Sequence, residues 1–271
     1  MGMLTKTNRW LLMAVFALIC SFNGVKEKTL HIVFMGDSIT YGAAVADRDH
    51  FAPPVAAASS LQQMPLVDKV AFYNAGTSGA TTLDFLPGTG NFKRSIAAAD
   101  EFNGEIQKLS DDQKKADELI FSIMLGTNDS AIEGTHGAPI VPEKYRQNLL
   151  IIIDSLLSRY PDCKVVINEA PWYSDNTYNG AKYLKEGRQR LVRYNPELVR
   201  LVNHYKKLRP GRVYLGDQSA FAYFQKNYKH MMAAENGQQG VFYLHPNNRG
   251  SSVLGDKWAK AIYKVAFKNA D

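Results

Sequence analysis

Cysteine is scarce in this 271-residue sequence, which holds only Cys20 and Cys163. That excludes a scaffold stapled by several disulfides and a zinc site built from four cysteines. No apolar run is long enough to span a bilayer: Trp10 to Cys20 is about half of the roughly 20 residues that a membrane helix needs. Basic runs are missing as well. Apart from Lys93-Arg94, Lys114-Lys115 and Lys206-Lys207, the lysines and arginines are scattered, so no stretch tracks a phosphate backbone and nucleic acid is not an expected partner. No Gly-x-Gly-x-x-Gly turn follows the first apolar strand, no Gly-rich loop ends in Lys-Ser or Lys-Thr, and His, Asp and Cys do not cluster at metal-ligand spacing. The sequence therefore implies no nucleotide cofactor and no metal.

What is present suits a folded enzyme. Hydrophobic residues make up 45% and charged residues 21%, with neither Gly nor Pro dominant. No linker-like stretch divides the chain, and one domain is expected from residue 25 to 271. Residues 1–24 differ from the rest. Lys6 and Arg9 precede the apolar run, which ends near Ser21 to Gly24, the pattern of a signal peptide. Its removal takes away two cations and no acid, lowering the net charge from +6 to +4. A secreted or periplasmic location in a bacterium is expected. The alternative is a lipid anchor at Cys20, against which stand Leu18 and Ile19, bulkier than the small residues such a site prefers.

Short apolar runs ending in Gly, Asn or Asp alternate with longer amphipathic segments, the pattern of an α/β fold with a parallel sheet flanked by helices. The expected strands are Leu30 to Met35, Val70 to Asn74, Glu118 to Leu125, Lys164 to Asn168 and Arg212 to Leu215. Helices are expected over Ser95 to Leu109, Pro142 to Tyr160, Leu184 to Leu208 and Val253 to Phe267, where apolar residues recur at helical spacing. Ligands of such sheets gather outside the carboxyl ends of the strands. Three strands end there in small polar clusters: Gly36-Asp37-Ser38, Asn74-Ala75-Gly76 and Gly126-Thr127-Asn128-Asp129.

Ser38 would sit on a strand-to-helix turn, where unpaired N–H groups and positive partial charge favour a developing oxyanion. Taken alone, a serine in that place reads as a helix cap before it reads as a nucleophile. Gly76, through its backbone N–H, and Asn128, through its side-chain amide, would complete a set of oxyanion donors. A serine nucleophile needs a base. Of six histidines, His245 opens a His-Pro-Asn-Asn loop that would return to the crevice before the last helix. His136, in the Gly134 to Gly137 loop, could approach the same crevice, but its loop reads as solvated.

These blocks, Gly36-Asp37-Ser38-Ile39-Thr40, Asn74-Ala75-Gly76-Thr77-Ser78-Gly79, Gly126-Thr127-Asn128-Asp129 and His245-Pro246-Asn247, resemble in order those of the SGNH (GDSL-type) hydrolase family. The resemblance implies a three-layer α/β/α sandwich, flavodoxin-like, with a five-stranded parallel sheet of order 2-1-3-4-5. It also implies Ser38 as nucleophile, His245 as general base, and the Ser38 N–H, Gly76 and Asn128 as oxyanion hole. One block departs from the pattern: the family places an aspartate three residues before the histidine, and here that position is Phe242. A backbone carbonyl near Phe242 is the expected support for His245, with Asp217 or Glu235 as alternatives.

The expected activity is hydrolysis of short-chain acyl esters, O-acetyl esters of carbohydrates in particular, without a cofactor. The export signal and the absence of a long apolar lid favour a sugar ester over a lipid. Trp172 and Tyr173, in an aromatic-polar loop after the fourth strand, are expected to stack on sugar faces. Lipase, lysophospholipase or thioesterase activity, and a non-catalytic carbohydrate-binding role on the same fold, are the alternatives.

Overall fold

The computed structural model describes residues 27–114 and 116–267. The expected signal peptide and Cys20 lie outside the described residues. Five parallel strands form one sheet in the order β2-β1-β3-β4-β5: β1 Lys28–Gly36, β2 Val67–Asn74, β3 Glu118–Met124, β4 Lys164–Ile167 and β5 Val213–Leu215. Every expected strand is present and the sheet order agrees with the α/β expectation.

Why β1 lies in the interior of the sheet follows from its composition. Leu30, Ile32, Val33, Phe34 and Met35 are fully buried, including neighbours that point to opposite faces, as a strand covered on both sides requires. Burying each such side chain contributes about 1.5–3 kcal/mol. Phe34 stacks on Trp258, centroids 5.9 Å apart, whereas His31, of opposite parity, meets Phe102 at 5.3 Å. Those two partners belong to helices on opposite faces, so the molecule has three layers.

The longer helices are α1 Pro53–Gln62, α2 Gly90–Gln107, α3 Pro142–Arg159, α4 Leu184–Leu208, α5 Ala220–Met231 and α6 Asn248–Phe267. Helices α1 and α6 pack together, as do α3 and α4. Two of these, α1 and α5, have no counterpart in the sequence reading. The sequence of α1, Pro-Pro-Val-Ala-Ala-Ala-Ser-Ser-Leu-Gln, carries few large apolar residues to mark a helical stripe. Its Ala57 and Ala58 nevertheless lie buried. A hairpin of β6 Glu235–Gly237 and β7 Gly240–Phe242 also stands outside the expected elements, separate from the main sheet.

Parallel pairing sets β1 against β3 with Gly36 opposite Met124, and against β2 with Phe34 opposite Asn74. The carboxyl ends of these three strands are thereby level. The turns that leave them share one crevice with the loop between β7 and α6.

Candidate active site

The chain leaves β1 through Asp37, whose side-chain Oδ1 accepts the Ile39 N–H at 2.9 Å and caps a single helical turn, Ser38–Tyr41. The cap is therefore Asp37 and not Ser38, which frees the serine hydroxyl. Ser38 Oγ lies 2.9 Å from His245 Nε2, and both residues are buried. Burial pushes the Asp37 carboxyl up to about 6 against the Ile39 N–H that it accepts.

On the far side of the imidazole the structure departs from expectation. His245 Nδ1 faces the Glu235 carboxylate, with oxygens at 3.0 and 2.9 Å, and Glu235 Oε1 also accepts the His245 backbone N–H at 3.1 Å. No backbone carbonyl takes that place, and Asp217 instead accepts from Ser219. The hairpin explains why: antiparallel register sets Glu235 directly opposite Phe242. Cross-strand neighbours lie about 5 Å apart, so the carboxylate reaches His245 from the neighbouring strand. Gly237-Gln238-Gln239-Gly240, a two-residue loop between glycines, is the sequence signal of this hairpin.

Asn128 stands beyond the end of β3, buried, with its amide fixed at both ends. Tyr183 Oη donates to Asn128 Oδ1 at 2.6 Å, and Nδ2 donates to the Ala80 carbonyl at 3.0 Å. An amide carries two N–H groups, so one is left for a ligand. The next residue, Asp129, accepts the Thr82 N–H at 3.0 and 3.1 Å and the Thr82 hydroxyl. Burial pushes its carboxyl up to about 7.

Gly76 does not occupy the place expected of it. Its N–H donates to Asn74 Oδ1 at 3.0 Å, and a Cβ there would lie 2.3 Å from the Tyr41 nitrogen. Gly76 is thus a close-packing glycine behind the Ser38 turn. Gly79, three residues on, lines one cavity with Ser38, Asn128 and His245. It adopts φ of +78°, with open space where a Cβ would stand, and its N–H meets no acceptor among the described residues. Sequence reasoning missed Gly79 because two glycines share one short loop and only the path of the loop tells them apart.

Trp172 and Tyr173 also lie away from the cavity. Tyr173 is fully buried with its hydroxyl 2.8 Å from Ser130 Oγ, and Trp172 packs on Tyr228, centroids 5.2 Å apart. The adjoining Ser174 exchanges hydrogen bonds with Tyr243 of the segment after β7, which turns this stretch inward. Farther along the same loop, Asn179, Gly180, Ala181 and Tyr183 do line the cavity. Among the described residues no group of three or more His, Cys, Asp or Glu could hold a metal ion, and no helix is long and apolar enough to cross a membrane.

The cavity measures about 500 Å³. A serine hydroxyl on a histidine, a carboxylate behind that histidine and amide donors beside the serine form an arrangement able to carry out acyl transfer.

Comparison with known proteins bears on the fold and the family. Among solved structures, similarity of fold extends to a carbohydrate acetylesterase from Sinorhizobium meliloti, with 15% identity and a TM-score of 0.53 over 87% of this chain and 99% of that one. It extends also to a carbohydrate esterase of family 3 from Talaromyces cellulolyticus, with 14% identity and a TM-score of 0.54 over 89% and 100%. The aryl esterase of M. smegmatis gives 16% identity and a TM-score of 0.52 over 87% and 99%. A search of curated proteins finds no match. The sequence model described as GDSL-like Lipase/Acylhydrolase family matches residues 34–253. That match runs from β1, which leads into Ser38, to α6, which follows His245, and the chain belongs to the GDSL-like lipase/acylhydrolase family.

Proposed function

We propose that this protein is a serine esterase that removes short acyl groups, acetyl above all, from carbohydrates outside the cytoplasm. The observation that carries the reading is the line of contacts from Ser38 Oγ to His245 Nε2 at 2.9 Å and from His245 Nδ1 to Glu235. In this reading His245 takes the Ser38 proton as Ser38 attacks the ester carbonyl. The oxyanion of the tetrahedral intermediate meets the N–H groups of Ser38 and Gly79 and the Asn128 amide, donors in place before the charge develops. Collapse expels the alcohol, which receives the proton from His245, and leaves an acyl-serine. Water then gives one proton to His245 as it attacks the acyl-serine; collapse of this second intermediate releases the acid, and His245 returns the proton to Ser38 Oγ. Glu235 holds the imidazole in the tautomer with Nδ1 protonated and offsets the positive charge formed at each step.

The cavity wall supports a small acyl group on a polyhydroxylated alcohol. Thr77, Ser78, Asn91, Thr135 and Asn179 line it, and its apolar surface comes from Leu244, the Tyr183 ring and small alanines. Apart from Leu244 and Tyr183, a long acyl chain would meet no large apolar side chain there. The amino-terminal segment read as a signal peptide supports export.

The test is hydrolysis of 4-nitrophenyl acetate, butyrate and octanoate by the mature protein and its Ser38→Ala and His245→Ala variants. Acetate is expected to be the preferred ester, with kcat falling by at least about 10⁴-fold in each variant. Turnover unaffected by Ser38→Ala, or a preference for octanoate, would overturn the reading. No turnover by the parent protein would favour the non-catalytic carbohydrate-binding role.

A further inference from the structure

Two of the six histidines line the catalytic cavity: His245, which faces Ser38, and His136. The mechanism above has no task for His136. Its surroundings are nonetheless those of a side chain held in one orientation. His136 Nδ1 lies 2.7 Å from Asp84 Oδ1. The other Asp84 oxygen accepts the Thr81 N–H at 2.8 Å, and the Thr81 hydroxyl stands 3.1 Å both from that oxygen and from the His136 carbonyl. One residue before, Thr135 Oγ1 donates to the Asn128 carbonyl at 2.8 Å, tying this loop to the amide beside Ser38. One residue after, Gly137 adopts φ of +72°, and a Cβ there would lie 2.3 Å from Leu83 Cδ1. The loop therefore sits directly on the 3-10 turn Thr82–Phe85 that carries Asp84.

We propose that His136, oriented by Asp84, is a specificity-determining contact that takes a hydroxyl of the saccharide alcohol in the catalytic cavity. This inference rests on the esterase reading above and names which part of the substrate the rim recognises. A carboxylate on Nδ1 keeps the proton of the neutral imidazole there, so Nε2 offers a lone pair. That nitrogen meets no partner among the described residues, and the side chain is 64% exposed. A saccharide hydroxyl donates to such a nitrogen, and Asp84, which also lines the cavity, adds acceptor oxygens beside it. The contact belongs to the alcohol side for a chemical reason. An acetyl group has one polar atom apart from the ester oxygen, its carbonyl oxygen, and that atom is assigned to the donors around Ser38. Any further polar recognition in the cavity falls on the alcohol. His136 is not a second base for Ser38, whose hydroxyl is already paired with His245.

The test compares kcat/KM for partly acetylated xylo-oligosaccharides, which keep free hydroxyls, with kcat/KM for 4-nitrophenyl acetate, which has none. In His136→Ala the ratio of saccharide to aryl ester is expected to fall about 10-fold, the value of one lost hydrogen bond, through a raised KM for the saccharide. His136→Gln, whose amide oxygen accepts from a hydroxyl, is expected to recover part of the ratio. A ratio in His136→Ala within twofold of the parent's would overturn the inference, and so would a parent enzyme that turns over 4-nitrophenyl acetate but not the saccharide acetate. Failure of the parent on both substrates is a different result, which removes the esterase reading itself.

Discussion

Replacing Glu235 by Gln tests the reading of the site at its least conventional point. The substitution keeps the length of the side chain and an oxygen for the His245 backbone N–H, now 3.1 Å away, while removing the negative charge from Nδ1. With carboxylate oxygens 2.9 and 3.0 Å from Nδ1, the centres of charge of carboxylate and imidazolium stand about 4 Å apart, which at an effective dielectric constant of about 20 is worth about 4 kcal/mol. At 1.36 kcal/mol per decade that is a loss of about 10³-fold in kcat. The Glu235 side chain is 26% exposed, and solvent screening places the loss at or below that figure. An amide N–H turned toward Nδ1 would in addition favour the tautomer unable to accept the Ser38 proton. The assay is kcat for 4-nitrophenyl acetate from pH 5 to 9, with thermal melting to show that the variant folds. Glu235→Asp should retain more activity than Glu235→Gln at the same stability. If folded Glu235→Gln keeps more than about a tenth of the parent kcat while Ser38→Ala is inactive, the hairpin carboxylate has no part in the reaction.

Gly76→Ala and Gly79→Ala should separate packing from catalysis. The first places a Cβ against the Tyr41 backbone and is expected to cost about 1–3 kcal/mol, read as a lowered Tm. The second meets open space at φ of +78°, costs about 1 kcal/mol of backbone strain, and is expected to lower kcat more than Gly76→Ala does; the reverse ranking in kcat would return the oxyanion role to Gly76. Burial raises the Asp129 carboxyl from its ordinary 3.8 to about 7, so the folded chain keeps a proton that the unfolded chain has released. Its stability contribution is full below pH 3.8 and is lost as pH rises through about 7, a change of about 4 kcal/mol. Urea unfolding should accordingly show Asp129→Asn losing less stability than the parent between pH 5 and pH 8, and an equal loss in both would refute the assignment. Tyr173→Phe removes a buried hydroxyl bonded to Ser130 and is expected to cost about 1 kcal/mol with kcat/KM unchanged, whereas a fall in activity would return Tyr173 to the substrate site.

Much of the scaffold was legible because its signals are local. The apolar runs at Leu30 to Met35 and Glu118 to Leu125 are continuous, as strands buried on both faces must be, and small polar turns at their carboxyl ends mark where the crevice opens. Ser38, Asn128 and His245 stand at or beside such ends, so their shared location followed from fold class and motif order. Helix α1 escaped notice because alanine and serine bury a face without displaying a stripe. The aromatic rings of Trp172 and Tyr173 read as a sugar platform, since a loop sequence does not state which way its side chains turn. Their direction follows from the contacts of Ser174 with Tyr243.

By itself, then, the sequence determined the strands, the resemblance that implied their order, and the serine and histidine brought to one end of the sheet. Tertiary structure alone decided which glycine faces the cavity, which acid stands behind His245, and that His136 shares the cavity rim. Each of these depends on a contact across strands or between loops, such as Glu235 beside Phe242 or Gly137 on Leu83. Periodicity and turn chemistry describe a chain along its own length, whereas such contacts exist only once separate segments have packed against one another.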